Sequence, residues 1–192
     1  MYDFIVMLLV ASIAIVIYGW FFRIKWWKLS FGIPAFVSAY FIEEYITTPE
    51  NFLLIVLIIA PIIEETMKFV STIYGKDVKT AIAVGLMFAL MENAMYFNAF
   101  GFIFLSLFLV REFTDPVLHA TTTSISVRLW KKSYLALPIA IGLHIGWNYY
   151  GYLTITNPYL IYIPTIIYGI ILCIIALNDE KIGKIKIAPE GA

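Results

Sequence analysis

Long apolar stretches succeed one another along the chain, at about 4–22, 30–47, 52–74, 80–100, 101–130, 133–153 and 158–177, parted by short polar turns. Most approach the roughly 20 residues that a helix needs to cross a hydrocarbon core about 30 Å thick, so the pattern predicts spanning helices and no strands. The fifth stretch is interrupted, because the largely apolar residues 101–110 are followed by Arg111, Glu112, Thr114, Asp115 and Pro116. Thr114 or Asp115 as N-cap with Pro116 just inside is a helix-start signal. It predicts a short interfacial or re-entrant piece at 101–111 and a new helix from about 116 to 130.

Composition strengthens the membrane reading. Hydrophobic residues make up 62% of the chain and charged ones 14%, with a mean hydropathy of +0.90, against about 45–50% and about 25% in soluble domains. Seven spans would use roughly 140 residues and leave no room for a separate soluble domain. The expected fold is therefore an all-α polytopic transmembrane bundle of about seven spans. It forms a single integral domain over 1–192, in a cell membrane, with the lipid bilayer as its solvent. The first run follows Met1, Tyr2 and Asp3 without a basic n-region, so it is expected to be a retained helix and not a cleaved signal.

Charge supplies an orientation. Of thirteen Lys and Arg residues, all but Lys68 and Arg111 fall in alternate connections: Arg23, Lys25 and Lys28; Lys76 and Lys79; Arg128, Lys131 and Lys132; Lys181, Lys184 and Lys186. The positive-inside rule then puts the N-terminus outside and the C-terminus in the cytoplasm, which requires an odd number of crossings. Net charge is zero and the basic residues are scattered, so no continuous patch exists for a nucleic-acid backbone. A single cysteine, Cys173, excludes an intrachain disulfide or a Cys-based metal site.

Candidate chemistry lies in the ionisable residues placed within the spans: Glu64, Glu65, Lys68, Glu92, His119 and His144. Each costs a few kcal/mol or more at mid-bilayer unless it is paired or faces a polar cavity. Glu64 lies 12 residues before Lys76, Glu92 13 after Lys79, His119 12 before Lys131 and His144 12 after Lys132. At about 1.5 Å per residue, four helices deliver four titratable groups to one depth, roughly 18 Å from the same membrane face. Lys68, Tyr96, Thr123 and Asn148, each four residues beyond one of these groups, extend a polar stripe on each helix. Two carboxylates and two imidazoles in a low-dielectric site can activate water, or serve as ligands for a divalent ion such as zinc. The same groups also suit proton transport or helix pairing. Glu43 and Glu44 lie near the outer end of the second stretch and are expected to reach water as structural residues.

The motifs carry a resemblance. Glu64-Glu65-Thr66-Met67-Lys68 reads EExxK, Phe88 to Glu92 reads FxxxE, Arg111 to His119 precedes a run of Thr121, Thr122 and Thr123, and His144 to Asn148 reads HxxxN. In order on successive helices, over roughly 60–150, they resemble the PrsW-type intramembrane proteases, relatives of the CAAX prenyl proteases and bacteriocin-processing enzymes. CAAX-type members have a histidine where Glu92 stands, and Phe69 occupies the position of their EExxxR arginine.

The resemblance implies a glutamate-dependent endopeptidase acting on membrane-protein or membrane-anchored peptide substrates, with a catalytic helical core at about 52–153. Carried over, Glu64 is the general base and Glu65 shapes the site; His119 and His144 orient water or stabilise the oxyanion, and Asn148 is an amide donor. Glu92 leaves open which residue shares the proton and whether a metal takes part. Two other readings stand beside it: a non-catalytic scaffold, since a γ-secretase subunit resembles the same superfamily, and a small proton- or ion-coupled transporter.

Overall fold

The computed structural model describes residues 2–73, 77–100, 105–130 and 133–185, and over these the chain is all-helical. Seven principal helices run in order: α1, Tyr2–Phe21; α2, Gly32–Ile46; α3, Ala60–Ile73; α4, Val78–Phe100; α5, Leu105–Trp130; α6, Ala136–Leu153; and α7, Tyr162–Ile185. Short turns of 3-10 helix at Trp26–Phe31 and Pro158–Ile161 lead into α2 and α7. Among the described residues, two stretches are long and apolar enough by length and composition to cross a membrane, Val78–Tyr96 and Tyr159–Asp179, with Ser12–Phe21 a shorter apolar piece.

Two helix ends show how local sequence places the site. Before α3 the chain runs through Phe52–Leu54 and a π turn, Ile55–Ile59, in which the Ala60 N–H bonds to Ile55 O. That bond leaves Val56 O without its usual donor, and residue 61, next in line, is a proline with no N–H. The orphan carbonyl is satisfied from α6, where Asn148 Nδ2 donates to it at 3.0 Å. At the start of α4, Asp77 is the N-cap: Thr80 N–H and Thr80 Oγ1 both donate to its carboxylate, at 3.0 and 2.6 Å. Lys28 Nζ adds an ion pair at 2.8 Å, tying the first connection to the α3–α4 turn.

The interrupted fifth stretch departs from expectation. Leu105–Trp130 is one helix with Pro116 inside it; residues 101–104 of the anticipated re-entrant piece lie outside the described residues. Thr114 and Asp115 are buried mid-helix and do not cap it, because Asp115 has an intrahelical partner, Arg111, at 2.6 Å. Pro116 has no N–H to offer Glu112 O, the acceptor one turn back. Phe113 O in that turn accepts a hydrogen bond from the Tyr18 hydroxyl of α1 at 2.9 Å.

Packing centres on α4 and α5. Gly85 is what lets them close: a Cβ there would sit 2.5 Å from the carbonyl carbon and oxygen of His119. Ala81, Ile82, Ala83, Val84, Leu86, Phe88 and Ala89 bury the rest of α4. α1 and the connection after it cover one side through Ile15 and Ile24, α2 another through Ala35 and Ala39, and Tyr168 of α7 packs on Val117.

The polarity of α3 is inverted relative to a water-soluble helix. Glu64, Glu65, Lys68 and Thr72 face inward and are buried, whereas Ile62, Val70 and Ile73 face outward and are exposed. Thr121, Thr122, Thr123, Ser124 and Ser126 of α5 are buried too, while Ile163, Ile166, Ile167, Ile170 and Ile174 of α7 are more than half exposed. Among the described residues, the bundle carries polar groups inside and a broad apolar surface outside.

Candidate active site

Four helices bring the ionisable residues to one place. α3 contributes Glu64, Glu65 and Lys68, α4 Glu92, α5 His119 and α6 His144, and all but Glu92 are at most 5% exposed. Positions i, i+1 and i+4 on α3 share one side of the helix, so its three charges enter the bundle together.

The core of the arrangement is saturated. Glu65 Oε1 accepts from Lys68 Nζ at 2.6 Å, from His144 Nδ1 at 2.8 Å and from Thr122 Oγ1 at 2.9 Å. Lys68 Nζ also donates to His119 Nδ1 at 2.7 Å and lies 4.6 Å from the centre of the Phe88 ring. With its Nδ1 lone pair taken by the ammonium, His119 carries its proton on Nε2, which donates to Glu92 Oε2 at 2.7 Å. Glu92 Oε1 is held in turn by Arg111 Nη2 at 3.2 Å, and Arg111 also bonds Asn93 Oδ1 through Nε at 3.3 Å and stacks on Tyr96. A single hydrogen-bonded chain therefore runs Arg111, Glu92, His119, Lys68, Glu65, His144.

Its open end is chemically distinctive. His144 gives its Nδ1 proton to the Glu65 carboxylate, which leaves the Nε2 lone pair free. That lone pair faces Glu64 Oε2 across 3.9 Å. Glu64 Oε2 is buried without a hydrogen-bond partner, and Lys68 Nζ and His119 Nδ1 stand 3.8 and 4.0 Å from it. Gaps of this size are too long for direct hydrogen bonds and fit one bridging water, which can donate to both Glu64 Oε2 and His144 Nε2.

Two cavities reach this point. One, of about 350 Å³, opens between α2, α3 and α4 and is lined by Glu43, Glu44, Glu64 and Glu92 with Phe36, Tyr40 and Phe88 among its aromatic walls. The other, of about 360 Å³, lies between the α3 lead-in, α5 and α6, with His119, His144, Arg111 and Trp147 in its lining. Phe52, Val56, Glu92, Tyr96 and Asn148 border both.

A metal is a spacing match with a chemical obstacle. Glu64, His119 and His144 each offer a donor atom within 4.8 Å of the others, a group placed to hold an ion. His119 Nδ1 is the donor already engaged by the Lys68 ammonium, so coordination there requires Lys68 to move or lose its proton. With Lys68 in place two donors remain, fewer than the three protein ligands usual at catalytic zinc.

Each anticipated site residue lies in or beside this cluster: Glu64, Glu65, Glu92, His119 and His144 form it, and Asn148 borders both cavities with one amide proton on Val56 O. Three features depart from the expectation. Thr123, chosen by i+4 spacing, bonds back to His119 O, and Thr122 is the residue that reaches Glu65. Arg111, set apart from the basic connections and given no role of its own beyond opening the third motif, holds Glu92; its i+4 spacing from Asp115 was the available signal. Glu43 does not simply reach water, because its Oε1 is buried, unpartnered and in the lining of the first cavity. No protein-family model, curated protein or solved structure matches the chain.

Proposed function

We propose that this chain is a seven-span membrane endopeptidase of the kind its motifs resemble, the PrsW-type proteases, with its N-terminus outside and its C-terminus cytoplasmic. It hydrolyses peptide bonds of membrane-protein substrates with water activated between Glu64 and His144. The inverted polarity supports the membrane setting: hydrocarbon accepts the exposed isoleucines of α7 and the outer face of α3, and the costly charges sit in the interior. The basic connections support the orientation.

The observation that carries the catalytic reading is the unpartnered Glu64 Oε2, 3.9 Å from an imidazole nitrogen that has a free lone pair. A water held between them gives one proton to this pair as its oxygen attacks the scissile carbonyl. The negative charge that develops on the carbonyl oxygen is met by the second amide proton of Asn148, which borders both cavities, and a donor so placed can contribute a few kcal/mol to the transition state. The proton then passes to the leaving amine and the bond breaks. Glu65 and Glu92 hold His144 and His119 in their tautomers, acting through them and not on the substrate. An ion bound by Glu64, His119 and His144 would supply Lewis-acid activation of the same water, and no step above requires it.

The test is cleavage of a panel of single-span membrane proteins by the purified protein in liposomes, comparing wild type with Glu64→Gln. Loss of cleavage in the variant alone is the expected result. A well-folded wild type that cleaves nothing in the panel would favour the scaffold reading, for which the saturated Glu65–Lys68–His144 core is the structural argument. Reporter fusions at the two termini test the orientation.

A further inference from the structure

The cavity beside α2 carries charge that the water-activating pair does not use. Its lining holds four carboxylates, Glu43, Glu44, Glu64 and Glu92, and no lysine or arginine. The two nearest cations are committed elsewhere: Lys68 lies against Glu65 and His119, and Arg111 against Asp115 and Glu92. Among the described residues neither Glu43 nor Glu44 is in an ion pair, and Glu43 Oε1 and Glu64 Oε2 are buried oxygens without any hydrogen bond. Glu64 is itself 95% buried, at 5% exposure, and borders this cavity. Glu64 Oε2 faces the water it activates, but Glu43 Oε1 has no such partner, and a buried carboxylate oxygen left unpaired is costly, so its retention points to a partner brought from outside.

The walls favour an organic cation over a metal ion. Phe36, Tyr40, Phe52, Phe88 and Tyr96 give aromatic faces alongside the acids. Such faces pack against an aliphatic stem and attract an ammonium or guanidinium, whereas a hard metal ion seeks six or more oxygens, with water filling the gaps.

We infer that this cavity is a specificity pocket for a lysine or arginine side chain of the substrate, lying on the side of the scissile bond that enters between α2 and α4. Glu43 is its principal partner, and Glu44 at the exposed mouth adds attraction at longer range. The inference rests on the endopeptidase reading for its setting, but binding and cleavage can be measured apart. Single-span peptides identical except for one position, carried as Lys, Ala or Glu and stepped along the span, are assayed in nanodiscs for Kd by fluorescence anisotropy and for cleavage by mass spectrometry. At one register the Lys peptide is expected to bind at least about tenfold more tightly than the Glu peptide, a difference typical of one desolvated charge pair. Glu43→Gln should shrink that ratio and Glu43→Lys should invert it, with melting in detergent confirming the fold.

A Lys preference without cleavage keeps the pocket and removes the protease. Cleavage with no charge preference at any register keeps the protease and removes the pocket. Equal preference in wild type and Glu43→Lys also removes it, by placing the discrimination elsewhere. The wild-type peptide series alone decides the matter if both Glu43 variants fail to fold.

Discussion

Glu64 Oε2 and His144 Nε2 face each other across 3.9 Å, the first without a hydrogen bond and the second with its lone pair unclaimed. The neighbouring Glu65 is the opposite case, with one oxygen shared by three donors. Adjacent glutamates on one helix therefore have different duties, and they should give different phenotypes.

For Glu64, Gln keeps the shape but cannot take a proton. Glu64→Gln should lower the cleavage rate by about 10²–10⁴, the range usual for a lost general base. Its melting temperature in detergent should stay close to wild type, because no hydrogen bond to Oε2 is lost. Parallel rate and melting measurements check this, and a large drop in melting would instead make Glu64 a folding residue.

For Glu65, the charge is structural. Glu65→Gln leaves the Lys68 ammonium buried without its closest counter-ion, a change that costs about 3–5 kcal/mol in comparable buried pairs. Thermal or denaturant unfolding should show a loss far larger than that of Glu64→Gln. Equal stability of the two variants would overturn the division of roles.

Gly85 should be among the most sensitive apolar positions. Gly85→Ala gains about 1 kcal/mol of helix propensity, yet its Cβ would lie 2.5 Å from the His119 backbone, which cannot move aside as a side chain can. Overpacking of this kind costs about 1–3 kcal/mol, so a net loss of stability is expected. Cleavage should fall as well, because His119 is the residue displaced. Gly142, with open space around its Cβ position, is the control: Gly142→Ala should be harmless.

Asp77 offers a test by pH. Partial burial pushes its carboxyl up, but hydrogen bonds from Lys28 and Thr80 outweigh this and hold it below its ordinary value of 3.8. A group depressed in the folded state contributes stability above its unfolded pKa and loses it as pH falls through the folded one. Asp77→Asn should therefore melt lower than wild type near neutrality, by at most about 1 kcal/mol for so exposed a pair, and the gap should close below about pH 4. Asp77→Ala also removes the cap and should cost about 1 kcal/mol more.

Metal dependence is decided by Lys68. While its ammonium occupies His119 Nδ1, chelation should leave cleavage unchanged, and elemental analysis should find no stoichiometric zinc. Loss of activity on chelation, restored by one equivalent of metal, would mean that Lys68 vacates that nitrogen.

The sequence by itself determined that this is a helical chain rich in apolar stretches and which helices carry ionisable groups. Hydrophobic periodicity and the spacing of Glu64, Glu92, His119 and His144 from the basic connections are local, one-dimensional quantities, and they placed four groups at one depth. Tertiary structure decided everything that depends on how helices are rotated about their axes and how closely they approach. Spacing along α5 pointed to Thr123, and a rotation of one residue made it Thr122 that meets Glu65. A cap-like run at Thr114 to Pro116 stayed helical with Asp115 paired to Arg111 one turn back, and Phe113 O in that turn accepts from Tyr18 on α1. Asn148 has its role because a π turn and Pro61 orphan Val56 O on another helix. Each of these outcomes turns on whether a distant donor arrives within about 3 Å, and no pattern along the chain encodes that distance.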